Sequence, residues 1–218
     1  MWKSISRWLR PKHDRDSAVA QLEQMRSDLD LDSTSFPADD LRPVLIPSPI
    51  LEAGDWVGPY HHFPDLPLSL TWVFLRPQHT MRYLSTKAAA AFDAKGVNWR
   101  ATARLALVKE FENHPWTHEF RSETGDVEAV GLLHADGLGP SRLIMCRALA
   151  RHFGEGFLFF APERYSAFVL SANASAKVRD NVGRAVHQYF SGADVPMSES
   201  GYSHALLREA LERADEYT

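Results

Sequence analysis

Residues Asp136–Asn173, DGLGPSRLIMCRALARHFGEGFLFFAPERYSAFVLSAN, decide the fold class. The stretch opens with a glycine-proline turn. Pro140 suits the first position of a helix, where a missing N–H goes unnoticed, and Gly154 suits its end. Leu143, Cys146, Ala150 and Phe153 recur at helical spacing and are expected to face inward. Two apolar runs follow, Phe157–Phe160 and Ala167–Leu170, predicted to pair through a turn at Pro162-Glu163-Arg164.

The same alternation extends outward. Downstream, Ser175 is the expected cap of a helix lined by Val178, Val182, Ala185 and Tyr189 and stopped by Gly192; a last helix covers Ala205–Glu216. Upstream, Val44–Ile46 reads as a short strand stopped by prolines, and Glu52–Pro67 as loop. Leu70–Leu75 and Met81–Leu84 read as a hairpin around Arg76-Pro77-Gln78-His79. Helices follow at Lys87–Lys95, closed by Gly96, and at Trp99–Glu112, capped by Asn98. On the second, Ala103, Leu107 and Phe111 share a side, with Leu105 and Val108 beside them. A further hairpin joins Thr117–Arg121 to Val127–Leu133 through Glu123–Asp126. Hairpins outnumber single strands between helices, which predicts an α+β fold: a mixed, mostly antiparallel sheet with helices packed on one face.

The expected organisation is a basic helical arm and acidic linker over residues 1–40, then a single α+β domain over 41–218. In the arm, Trp2, Ile5, Trp8 and Leu9 share a helical side with Lys3, Arg7, Arg10 and Lys12 close by. That composition suits either a weak contact with anionic lipid through residues 1–12 or a leader whose tryptophans pack on the domain. Beyond Pro11, Asp16 or Ser17 can cap a helix striped by Ala18, Leu22, Met25 and Leu29. DLDLDSTSFPADD, from Asp28 to Asp40, breaks the period and reads as a solvated linker, since it lacks the glycine and late glutamate of a calcium loop.

Acids outnumber bases, 28 to 24, which argues against a nucleic-acid partner held by bulk charge. One cysteine permits no intrachain disulfide and fits a reducing cytoplasm. No apolar run is long enough to span a bilayer, so the predicted location is cytoplasmic, with the arm allowing a peripheral position at the inner membrane face.

A strand, a hairpin, a helix opening at Trp99, a second hairpin ending near Asp136-Gly137, then Ser141-Arg142-Leu143 at a helix start: this order resembles the YtpQ-type family of uncharacterised bacterial proteins. The next strand pair and Val195-Pro196-Met197 fit as well, so the resemblance covers residues 41–198. The basic arm and the helical tail depart from the pattern. The resemblance implies a bacterial origin and carries no assigned activity.

The residues themselves offer three places for chemistry. Asp136, Gly137, Gly139, Ser141 and Arg142 form a glycine turn before a helix, which could present N–H groups and a forked cation to an anion. Equally, Pro140 starts the helix, Asp136 or Ser141 caps it, and Arg142 pairs with a nearby acid. Trp56, Tyr60, His61 and His62, with Phe63, lie in the proline-rich loop, either as contact anchors or folded back over the sheet. Finally, His134 and Asp136, with His114, His118, His61 or His62, could converge on a metal, although Pro115 between His114 and His118 argues against one helical face. Cys146 reads as a core thiol, no serine elbow is present, and no cofactor is expected. The preferred reading is a non-enzymatic module that binds another protein or regulates it; the alternative is a small metal-assisted hydrolase. The oligomeric state is left open.

Overall fold

The run LSLTWVFL forms the strand on which one sheet is built. In the computed structural model, which describes residues 36–52, 56–75, 81–194 and 196–216, this strand (β3, Leu68–Leu75) is buried along nearly its whole length. It pairs antiparallel with β1 (Leu41–Pro47) on one side, and with β2 (Tyr60–His62) and β4 (Met81–Tyr83) on the other. β1 carries Pro43 and Pro47, which is tolerable because it is an edge strand and needs ladder donors on one side only. A second antiparallel sheet has the order β5 (His118–Arg121), β6 (Val127–Leu132), β8 (Ser166–Leu170), β7 (Leu158–Glu163), β9 (Tyr202–Ser203).

The α+β expectation holds, with two corrections. The described strands divide between two sheets, paired antiparallel throughout. Helices also lie on both faces of the second sheet. The reason is strand alternation: Val130, Leu132, Ala167 and Val169 point to one side, Ala129, Phe168 and Leu170 to the other, and all are buried. The first set joins a shared core with Leu41, Leu68, Trp72 and Phe74 of the first sheet. Four helices close that core: α2 (Thr86–Ala94), α3 (Trp99–Asn113), α4 (Cys146–Phe153) and α6 (His204–Glu216). The second set is covered by α5 (Ala176–Ser191), through Val178, Val182 and Val186. The short α1 (Ser48–Glu52) lies over the outer side of the first sheet, and α2 (Thr86–Ala94) on its inner side.

Local signals explain most boundaries. The Ser85 hydroxyl accepts from Ala88 N–H at 3.2 Å to start α2, and Gly96 follows its end at φ +67°. The Asn98 side chain accepts from Ala101 N–H at 3.1 Å to start α3. Pro140–Met145 is a 3₁₀ segment, and the α-helix begins only at Cys146.

Other expectations need correcting. Leu105 is 61% exposed, because two positions from both Ala103 and Leu107 is about 200° around a helix. The β7–β8 turn falls at Arg164-Tyr165. Strand β7 runs on through Pro162 because the 161 and 162 carbonyls accept from Ser198 and Met197 N–H, bonds that make no demand on a proline N–H. Ser175 precedes α5 without a side-chain cap; its hydroxyl and N–H both donate to the Glu128 carboxylate, at 2.6 and 2.9 Å. The supposed loop at 52–67 contains β2, and Phe63 and Leu66 fold back into the core. The expected basic arm, the helical stripe from Ala18 to Leu29 and most of the acidic linker lie outside the described residues, as does the 76–79 turn.

Candidate functional site

Arg142 is the most deeply buried charged side chain described, at 2% exposure. It is placed by the turn that leaves β6. Asp136 accepts from Leu138 N–H through Oδ1 at 2.9 Å, Gly137 takes φ +74°, and the chain reverses. Gly139 then passes so close to its neighbours that a Cβ would lie 2.2 Å from the Leu132 carbonyl and 2.3 Å from that of Tyr165. The reversal aims Arg142 back at Asp136, and the guanidinium donates to both carboxylate oxygens, at 3.1 and 2.7 Å. Burial pushes the Asp136 carboxyl up, but the Arg142 fork and the Leu138 N–H outweigh it and leave it below the ordinary aspartate range. The arrangement contains the ion pair that one of the two sequence readings expected, Arg142 with an acid; the cap expected from Ser141 is not formed, since Ser141 is buried and the segment has no side-chain cap.

His134 stands beside this pair. Its Nε2–H donates to the His114 carbonyl at 2.9 Å, which leaves Nδ1 as a bare lone pair, buried and without a partner. Burial, then the Arg142 charge, pushes the imidazole below its ordinary range, so folding favours the neutral ring. A cleft of about 390 Å³ opens here, lined by Leu75, Glu110, Asn113, His114, Asp136 and Arg142. Glu110 Oε1 accepts from Arg42 Nε at 2.7 Å, while Glu110 Oε2 and Arg142 Nε are buried without partners.

The glycine turn has a second neighbour, the aromatic segment. Trp56 packs edge-on against Tyr83 with ring centres 4.8 Å apart. Arg164 lies over Tyr83 at 5.8 Å and over Tyr165 at 5.4 Å. A Cβ on Gly137 would meet Met81 at 2.8 Å and Tyr165 at 3.3 Å. Trp56, Tyr83, Arg164, Tyr165 and Gly137 therefore form one continuous run of contacts. Tyr83 is almost wholly buried, and burial raises its hydroxyl's pKa; that oxygen and Trp56 Nε1 have no partner. Tyr165 is exposed, as are Val57 and Tyr60 in the segment that follows Trp56.

The remaining predicted residues are spread out. Tyr60 and His62 lie on β2, where His62 Nδ1 is 3.3 Å from the Ser69 hydroxyl, and His61 meets Trp72 edge-on at 6.4 Å. His118 packs on Phe120 at 4.9 Å, away from the cleft. His114, His134 and Asp136 are brought together; His61, His62 and His118 do not join them. Among the described residues no three His, Cys, Asp or Glu side chains are arranged to hold a metal ion. Cys146 is buried, which raises its thiol pKa.

Glu110, Asn113, Tyr83, Arg164 and Tyr165 escaped the sequence reading. Each reaches its place through long-range packing and carries no local motif. No helix among the described residues is long and apolar enough to cross a membrane. No protein-family model matches the chain, and neither curated proteins nor solved structures give a significant match.

Proposed function

We propose that this chain is a cytoplasmic, non-enzymatic module that binds another protein, of the bacterial YtpQ-like type its element order resembles. The observation that supports the reading is that Trp56 and Gly137, far apart in sequence, join one run of contacts through Arg164 and Tyr165 over the buried Tyr83, with Tyr165 exposed. Aromatic rings joined to an arginine, with tyrosines exposed at the rim, are the composition that concentrates contact energy at interfaces. Under this reading Asp136 and Arg142 are the frame beneath the patch and have no part in a reaction.

Affinity capture from native lysate tests it, using the full chain and a Tyr60→Ala/Tyr165→Ala variant. Both tyrosines are exposed, so the variant keeps its fold, as circular dichroism would verify. A companion protein retained in near-stoichiometric amount by the parent and lost from the variant is the expected result. Identical capture by both would refute the patch. The alternative, a metal-assisted hydrolase, draws support from the closeness of His114, His134 and Asp136. Stoichiometric transition metal in untagged protein, with turnover abolished by His134→Ala, would establish it instead.

A further inference from the structure

A groove on another part of the molecule shows the opposite arrangement of charge. It lies between α3, α4 and α6 and holds about 470 Å³, within the range of roughly 300–1,000 Å³ typical of sites that enclose a ligand. Its floor is apolar: Phe111 and Cys146 are buried, and Ile144, Met145 and Leu211 are partly so. Its rim carries Arg147, Arg151 and Arg208, with Arg104 on the α3 side, against only Glu112 and Glu212. In a chain of formal charge −4, a local excess of cations is a departure from the whole. Three of these cations, Arg147, Arg151 and Arg208, are held loosely. Arg147 meets Glu212 at 3.4 Å and Arg208 meets Glu155 at 3.2 Å, all four side chains being well exposed, and Arg151 makes no salt bridge among the described residues. Exposed pairs of that kind exchange readily for a better partner.

We propose that this groove docks an acidic amphipathic helix of a partner protein, with the helix's apolar stripe on the Phe111–Met145–Leu211 floor and its carboxylates on Arg147, Arg151 and Arg208. Charge complementarity selects the acid, since each arginine offers a fork that a carboxylate fills. The floor selects the helix. It is built from side chains of α3, α6 and the 3₁₀ segment that leads into α4; the ridge of a further helix is the element that packs on helical side chains of this kind, and the methionine adapts to the incoming shape. The described part of the chain's own acidic stretch, residues 36–40, lies elsewhere. The chain enters the described structure at Phe36, packed on Phe74, and the Asp39 carbonyl accepts from Arg42, which holds Glu110 on the cleft side of α3. That is the flank away from the groove. The surface is also separate from the aromatic patch, so either can fail alone.

A fluorescein-labelled peptide with two heptads of Leu-Glu-Glu-Leu-Leu-Glu-Glu is the probe, read by fluorescence anisotropy on the full chain. Saturable binding is expected, weakened by raising salt to half-molar, and weakened at least tenfold by Arg147→Glu/Arg151→Glu. Both arginines are exposed, so an unchanged melting temperature in that variant will show that folding is not the cause. The same peptide with lysine for glutamate is expected not to bind. Cys146, the single thiol, lies in the floor, so its reaction with a small maleimide should slow several-fold when the peptide is bound. No saturable binding, or binding indifferent to the charge reversal, overturns the proposal. So does equal arginine-dependent binding to anionic phosphatidylserine vesicles, or arginine-dependent self-association, since each names a different occupant.

Discussion

Two arginine sites on this molecule use the same side chain in opposite ways. At the turn after β6, Arg142 is swallowed whole and both oxygens of Asp136 are committed to it. Along α4 and α6, arginines stand at the rim of an apolar groove with weak ion pairs or, for Arg151, no salt bridge among the described residues. The first spends its charge on holding a chain reversal; the second leaves its charge available. A buried ion pair gives little net stability compared with an apolar substitute, but removing one member strands the other. An exposed arginine leaves nothing stranded. Location, more than residue type, separates architecture from recognition here.

The sharpest way to break this comparison is Arg142→Ala. Asp136 would keep a largely buried carboxylate without its fork, and the turn that passes Gly139 against the Leu132 and Tyr165 carbonyls would lose its anchor. A loss of about 3–5 kcal/mol is expected, measured by urea denaturation. A loss under about 1 kcal/mol would mean that the pair is ornamental and that Arg142 is free to serve a ligand in the cleft.

A smaller effect comes from acid. His134 is held below its ordinary range, so the fold favours the neutral ring; the stability this gives is complete above that range and is lost as pH falls through the lowered value. Asp136 is also lowered, so its contribution is complete above the carboxylate range and lost only as pH falls further. Melting temperature against pH should therefore drop in two stages, the first near and below the histidine range. In His134→Gln, whose amide can still donate to the His114 carbonyl, the first stage should shrink and the second persist. A profile identical to the parent's would remove His134 from the corner's energetics.

How much of this was legible in the chain depended on range. Asn98 before α3 and Gly96 after α2 act within four residues, so pattern was enough to place them. The division into two sheets was not legible, because hairpins specify neighbours in sequence, whereas the β6–β8 pairing brings Ala129 to Leu170 across a helix. β2 and β9 have three and two residues, too few for a period to register. At the candidate site, Asp136 and Arg142 were visible as a motif, and one of its two readings paired Arg142 with a nearby acid; that the acid is Asp136 itself depends on the chain reversal and was not legible. Tyr83, Arg164 and Tyr165 gave no signal, since nothing local foretells that Trp56 will arrive beside them. The groove was equally silent: Phe111, Cys146 and Leu211 meet only when α6 closes on α4.

The smallest expected change tests the other half of the comparison. Arg151→Ala removes a cation from the rim of the groove, where no salt bridge among the described residues holds it. Its guanidinium is already hydrated, so its loss leaves no buried group unpaired, and the melting temperature should not move beyond measurement error. Nor should the acid profile change, since arginine keeps its proton throughout. A pronounced destabilisation would show that Arg151 packs its stem into the trough as a structural cover, in the manner of a snorkelling side chain. Arg142 and Arg151 would then differ in degree only, and the groove's availability for a partner would go with the distinction.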